Sequence, residues 1–277
     1  MKPVAFDYER PNTLDAACAM LASEDLSAKP LAGGQSLGPM LNMRLVQPDL
    51  LVDITRIPEL WRVEEDKSVV VEIGACITHA AIEDGCVPGV TGGILASVAG
   101  GIAYRAVRNR GTIGGSLAHA DPAADWVACL AALGAEVVLH GPAGQRTLPL
   151  GGFVVGALEV ALEAGEVLEA VRVPILSPNA RWGFYKFCRK TGEFAEAIGA
   201  VVHDPDRGVA RAVIGATHSR PIVLEEAPVI FGTAASGGRG SFDRNAASEL
   251  MKAAGLDPDP YFFQVHLVAL ERAVDQL

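Results

Sequence analysis

The sequence predicts an α+β protein in three successive units: a small β-α-β start, a second mixed unit, and an antiparallel C-terminal sheet followed by two helices. Three observations carry this expectation. Short β-branched runs alternate with capped helical segments up to about residue 175. Pro174 and Ser177-Pro178-Asn179 then interrupt the pattern as a linker, and three longer strand-like runs precede two capped helices. The expected units are residues 1–55, 56–175 and 176–277.

In the first unit, Asn12 or Thr13 caps a helix through Ala22, Lys29–Ala32 reads as a strand, and Ser36 caps a helix over Leu37–Met43. That helix stops before Pro48, and Leu50–Asp53 is an apolar strand. The second unit opens with the β-branched run Val69–Ile73, followed by a helix that Thr78 caps and that ends at Asp84. Gly92–Ala99 reads as a further helix, and Asp125 as the cap of an apolar helix, Trp126–Leu133, that Gly134 ends. Ala135–His140 is a strand, Gly141-Pro142-Ala143-Gly144 a hairpin turn, and Val167–Val173 the closing strand. The third unit has strands at Trp182–Arg189, Ala195–His203 and Val209–Ala216, the last two joined by Asp204-Pro205-Asp206-Arg207-Gly208. Helices over Asp243–Ala254 and Pro260–Asp275 finish it, and Ser236–Gly240 reads as a loop.

Composition excludes several functions. The chain has 277 residues, half of them apolar, and a formal charge of -10, which argues against a nucleic-acid partner. Cys18, Cys76, Cys86, Cys129 and Cys188 stand far apart with no C-x-x-C pair, so neither a metal cluster nor a disulfide framework is expected. The uncharged stretch Cys86–Tyr104 is broken by Pro88 and five glycines and does not read as a membrane span. Met1–Asp7 lacks the apolar run of a signal peptide, and a cytoplasmic location is expected.

Two glycine-rich turns carry the chemistry: Leu31-Ala32-Gly33-Gly34-Gln35-Ser36 and Gly111-Thr112-Ile113-Gly114-Gly115-Ser116. Consecutive glycines let backbone N–H groups converge on phosphate oxygens without a lysine, which an acidic chain needs for a phosphate-bearing ligand. Gly34-Gln35-Ser36-Leu37-Gly38 also matches a G-x-S-x-G nucleophile elbow, which would make Ser36 the nucleophile of a serine hydrolase. No G-x-G-x-x-G and no Gly-Lys pair occurs, so neither a Rossmann site nor a P-loop is supported. His119-Ala120-Asp121 reads as a loop beside Pro122 rather than as metal ligands. Asp125, at a helix start, can cap the helix and also accept hydrogen bonds from a ligand. Arg105, Arg108 and Arg110 form either a solvated face or a docking edge.

Ala32-Gly33-Gly34-Gln35-Ser36, Val107-Arg108-Asn109-Arg110-Gly111-Thr112-Ile113-Gly114-Gly115-Ser116 and Ala118-His119-Ala120-Asp121-Pro122-Ala123-Ala124-Asp125 together resemble the FAD-binding medium subunit of the molybdenum hydroxylases, along essentially the whole chain. That resemblance implies a two-part FAD-binding domain of the vanillyl-alcohol-oxidase (PCMH) type over about residues 1–175 and the family's C-terminal domain after it. Leu31, Ala32, Gly33, Gly34, Gln35, Ser36 and Leu37 would hold the pyrophosphate with Gly111, Thr112, Ile113, Gly114, Gly115 and Ser116. Asp125 matches a flavin-binding aspartate, while Ile102, Leu168 and Lys186 match positions near the isoalloxazine. Gln35 stands where relatives often carry histidine, and Ile102 where eukaryotic xanthine enzymes carry an aromatic residue. The implied activity is electron transfer through FAD, with no catalytic side chain in this polypeptide. The implied partners are a small subunit with [2Fe-2S] clusters and a large molybdopterin subunit, assembled as a dimer of heterotrimers. A stand-alone flavin oxidase or dehydrogenase of the same fold is the alternative.

Overall fold

In the computed structural model, residues 2–66, 69–224, 227–232 and 242–277 are described; the expected loop at Ser236–Gly240 lies outside them. The first unit comprises β1 (Asp7–Glu9), α1 (Leu14–Leu21), β2 (Ala28–Leu31), α2 (Leu37–Asn42) and β3 (Leu50–Asp53). Its strands lie in the order β1-β3-β2, both pairings parallel, with Asp7 opposite Leu50 and Leu31 opposite Asp53. Thr13 caps α1 by accepting from the Ala16 N–H. Ser36 does precede α2, but its side chain makes no capping bond, contrary to expectation.

A five-stranded antiparallel sheet forms the second unit, in the order β4-β5-β10-β6-β7. Its strands are β4 (Val63–Asp66), β5 (Val70–Gly74), β6 (Glu136–Gly141), β7 (Gly144–Pro149) and β10 (Val167–Pro174), with the small ribbon β8 (Val154–Gly156) and β9 (Glu159–Val160) beside it. The helices are α3 (His79–Glu83), α4 (Gly89–Gly100), α5 (Arg105–Arg108), α6 (Ile113–His119), α7 (Asp125–Leu133) and α8 (Leu150–Phe153). Thr78 caps α3 as the sequence predicts, and Gly134 ends α7 in the left-handed conformation at φ +71°. Among the described residues no helix is long and apolar enough to cross a membrane.

The third unit is an antiparallel meander, β11 (Arg181–Phe187), β12 (Ala197–Asp204), β13 (Val209–Gly215) and β14 (Ile222–Leu224), with α9 (Pro228–Phe231), α10 (Arg244–Ala253) and α11 (Pro260–Val274). Asp243 and Asp259 cap the two long helices. Residues pointing to opposite faces of this sheet enter two cores. Ile198, Ala200, Val202 and Val213 join the main core, which also holds α7, whereas Val201, Ala212 and Ile214 pack with α10 and α11. Glycines make the second contact close: a Cβ on Gly183 would lie 1.9 Å from the Ala273 carbonyl oxygen, and one on Gly199 would lie 2.4 Å from that of Ala269. The sheet is therefore sandwiched, and α7 is shared between the second and third units.

Candidate functional site

The two glycine segments are brought into direct contact. A Cβ on Gly33 would lie 2.0 Å from the Arg110 carbonyl oxygen and 2.9 Å from the Gly111 Cα, so only glycine permits this approach. Gly34, at φ +71°, turns the chain into α2. Among the described residues, no acceptor takes the backbone N–H groups of Gly33, Gly34, Gln35 or Ser36. Gln35 folds its amide back onto the Gly33 carbonyl at 3.3 Å, and both Gln35 and Ser36 are exposed.

The second segment differs from its expected form. Beyond Gly111 and Thr112 it is not a turn but the start of α6, and its N–H groups are already committed. Ile113 donates to the Ile77 carbonyl at 3.0 Å and Gly114 to that of Ala75 at 3.0 Å. Gly115 donates to Thr112 Oγ1 at 3.1 Å, and Ser116 to the Thr112 carbonyl at 3.0 Å. Gly114 is needed because a Cβ there would lie 2.4 Å from Ala75 Cβ. Ile113 and Gly114 are buried, while Gly115 is exposed and Ser116 half-buried. The backbone donors free for an anion thus belong to the first segment, and the outward groups of the second are Gly115 and the Ser116 side chain.

Asp125 is not the helix cap expected of it. Ala124 holds that position, and the Asp125 carboxylate is turned toward Lys186 on β11, with Oδ2 2.9 Å from Nζ. Both side chains are largely buried, and Asp125 Oδ1 has no hydrogen-bond partner. Burial raises the Asp125 pKa, and the charge of Lys186 opposes that rise. The pair joins the second unit to the third.

Next to Asp125 in sequence, Trp126 donates from Nε1 to His79 Nδ1 at 3.0 Å. His79 lies against the second segment: a Cβ on Gly111 would come 2.8 Å from His79 Nε2. Burial, with a smaller contribution from the Arg108 charge, pushes the His79 pKa down to about 4. The ring is therefore neutral near pH 7. Nothing in the sequence marks His79, since a single histidine after a helix cap carries no pattern.

The arginine cluster resolves into separate roles. Arg108 is buried, donating to both Glu83 carboxylate oxygens and to the Ile102 and Ala103 carbonyls, and Arg105 pairs with Glu83 and Asp84. Two of the three residues are thus structural clamps, and only Arg110 keeps an exposed side chain with no partner among the described residues. Leu168 is a core residue of β10, 4 % exposed, and Ile102 is half-buried against the main core. His119 ends α6, and Asp121 Oδ1 accepts from the Ala123 N–H. No group of three metal-ligating side chains occurs among the described residues. Ser36, at φ -99° and ψ -50°, has ordinary helical backbone rather than the strained turn of a nucleophile elbow.

Residues 4–176 match the family described as the FAD binding domain in molybdopterin dehydrogenase. The chain belongs to the FAD-binding medium subunits of the molybdenum hydroxylases. It is 43 % identical over 202 residues to the carbon monoxide dehydrogenase medium chain of Hydrogenophaga pseudoflava, covering 73 % of this chain and 70 % of that one. It is 36 % identical over 284 aligned positions to the carbon monoxide dehydrogenase medium chain of Afipia carboxidovorans, covering 100 % of this chain and 98 % of that one. A solved structure of the Hydrogenophaga carbon monoxide dehydrogenase, lacking the Mo-pyranopterin moiety of the molybdenum cofactor, superposes with a TM-score of 0.86 at 34 % identity over 100 % of this chain and 98 % of that one. The chain is accordingly a component of an oxidoreductase. Its residues fit FAD: uncommitted backbone N–H groups suit the pyrophosphate, and the orphaned buried oxygen of Asp125 suits a flavin or ribityl donor.

Proposed function

We propose that this chain carries FAD and passes electrons from [2Fe-2S] clusters of a small iron–sulfur subunit to an external acceptor, while a large molybdopterin subunit hydroxylates the substrate. The assembly is a dimer of heterotrimers in the cytoplasm. The fold is of the PCMH type, with FAD between the parts 1–55 and 56–175 and the C-terminal domain over 176–277. Supporting this reading, the relatives named above are themselves medium chains of a dehydrogenase.

The observation that carries the cofactor assignment is the seating of Gly33 on Arg110–Gly111 beside a row of uncommitted N–H groups. Gly33, Gly34, Gln35 and Ser36 hold the pyrophosphate through these donors, flanked by Leu31, Ala32 and Leu37. Gly111, Thr112, Ile113 and Gly114 shape the opposite wall, and Gly115 and Ser116 line it. Asp125 accepts from the flavin side, and Lys186 opposes the upward pull of burial on that carboxyl and places positive charge near it. Ile102 and Leu168 support the ring's apolar surroundings. FAD, when bound, supplies the redox chemistry, so this chain needs no nucleophile or acid–base pair of its own.

Purification alone and after co-expression with candidate small and large subunits tests this proposal. One FAD per chain, with iron and molybdenum in the co-purified complex, is the expected result. A colourless chain that takes up no added FAD would overturn it. A yellow chain that oxidises a substrate without partners would favour the stand-alone flavoenzyme.

A further inference from the structure

We propose that His79 is a positioning residue for the flavin site, fixing the Gly111–Ser116 segment relative to Asp125; this rests on the FAD reading above. His79 contacts both the Gly111–Ser116 segment and the start of α7 at Asp125-Trp126. Toward the first, the His79 backbone N–H donates to the Gly111 carbonyl at 2.9 Å, and the ring fills the space beside the Gly111 Cα. Adjacent Thr78 forms a β-bridge with Thr112, the residue that caps α6. Toward the second, Nδ1 accepts from Trp126 Nε1 one residue beyond Asp125, with the ring centroids 5.9 Å apart.

Two features separate this arrangement from ordinary core packing. An indole N–H only donates, so His79 must present a lone pair at Nδ1 and carry its proton on Nε2. A fixed tautomer gives a fixed ring orientation, and with it a fixed spacing between the two segments. The environment maintains that state. His79 is 6 % exposed, Trp126 is fully buried, and Arg108 on α5, itself paired with Glu83 on α3, is the charge that faces the imidazole. An apolar residue of similar size would fill the volume but strand the Trp126 N–H in the core. Glutamine would restore an acceptor.

The test uses the full chain reconstituted with FAD, comparing wild type with His79→Phe, His79→Gln, Trp126→Phe and the His79→Phe/Trp126→Phe pair. FAD affinity, the visible circular dichroism of bound flavin and urea denaturation of the apoprotein are the readouts. His79→Phe is expected to weaken FAD binding by about tenfold and to alter the flavin spectrum, because the stranded donor shifts α7 and Asp125 with it. Glutamine and the double variant are expected to recover most of the affinity, and Trp126→Phe alone to show a smaller loss. Should His79→Phe not fold, Trp126→Phe and His79→Gln still report on the same contact. Variants that lose apoprotein stability yet bind FAD with wild-type affinity and spectrum would overturn the proposal, leaving His79 a packing residue. Failure of wild type to bind FAD would instead overturn the cofactor reading itself.

Discussion

Replacing Gly33 by alanine separates what the fold demands of this glycine from what a ligand demands. The added Cβ would sit 2.0 Å from the Arg110 carbonyl oxygen, 2.7 Å from its carbon and 2.9 Å from the Gly111 Cα. All three are backbone atoms, which cannot rotate away, so the first glycine segment must retreat by about 1 Å or more from the second. Overpacking of this kind costs about 1–3 kcal/mol when side chains adjust, and about 3 kcal/mol or more is expected against rigid backbone. For a chain of this size that lowers the unfolding temperature by roughly 6–12 °C. Differential scanning calorimetry of the FAD-free protein measures the effect directly. Gly34→Ala is the control: its penalty comes from a left-handed backbone, about 1–2 kcal/mol, and its Cβ would meet only the flexible Leu31 Cδ1 at 3.3 Å. An FAD-free Gly33→Ala protein that melts within about 1 °C of wild type would refute the reasoning. FAD binding lost without that destabilisation would mean that the ligand, not Arg110–Gly111, requires the glycine.

Ser36→Ala should leave the apoprotein's stability within about 0.5 kcal/mol of wild type, since the exposed hydroxyl caps nothing, while loss of that hydroxyl as a donor beside the N–H row lowers FAD affinity about tenfold by titration. Lys186→Met should lower stability by about 3 kcal/mol in urea denaturation, because it leaves the buried Asp125 carboxylate unpaired, and Lys186→Met/Asp125→Asn should recover part of that loss. Stability should also fall with acid through His79. Its folded pKa of about 4 lies below the unfolded value of 6.5, so the folded chain binds fewer protons between those limits. The stabilisation is complete above pH 6.5 and is lost as pH falls toward 4, a loss of about 3 kcal/mol. Denaturation curves of wild type and His79→Gln should diverge accordingly as pH rises over this interval; parallel curves would refute the assignment.

Local signals in the sequence were sufficient where a residue's partner is close along the chain. Thr13 and Thr78 accept from N–H groups three residues ahead, and Gly134 needs only its own backbone freedom to end α7. The three long C-terminal strands carry their burial pattern in their own residues. Two edge strands were not legible: β1 is Asp-Tyr-Glu and β4 is Val-Glu-Glu-Asp, polar segments that become strands only because β3 and β5 lie beside them. The Gly-Gly pair of the second segment reads as a turn by composition, yet it is helical because Ala75 and Ile77 supply carbonyls from a distant loop. Arg105 and Arg108 looked like a surface cluster because Glu83 and Asp84 lie more than twenty residues away. The resemblance had placed Asp125 and Lys186 near one cofactor, but their mutual contact spans 61 positions and no periodicity announces it.

That contact bears on why the third unit is packed so closely on the second. Lys186 projects from the face of β11 toward α7, and α7 is held to the sheet where a Cβ on Gly215 would lie 2.5 Å from Ala128 Cβ. The Ala216 N–H donates to the Pro122 carbonyl at 3.0 Å, fixing the loop just before Asp125. The buried pair therefore forms only when the C-terminal sheet is docked. Buried ion pairs add little net stability over apolar packing, so stability alone does not account for a desolvated lysine and carboxylate at this junction. On the proposed reading, ligand chemistry does: Asp125 gives Oδ2 to Lys186 and keeps Oδ1 for a donor on the flavin. On that proposal the C-terminal domain acts on the cofactor through one side chain, and its docking tunes the charge at the flavin without forming the proposed pyrophosphate cradle of residues 31–116.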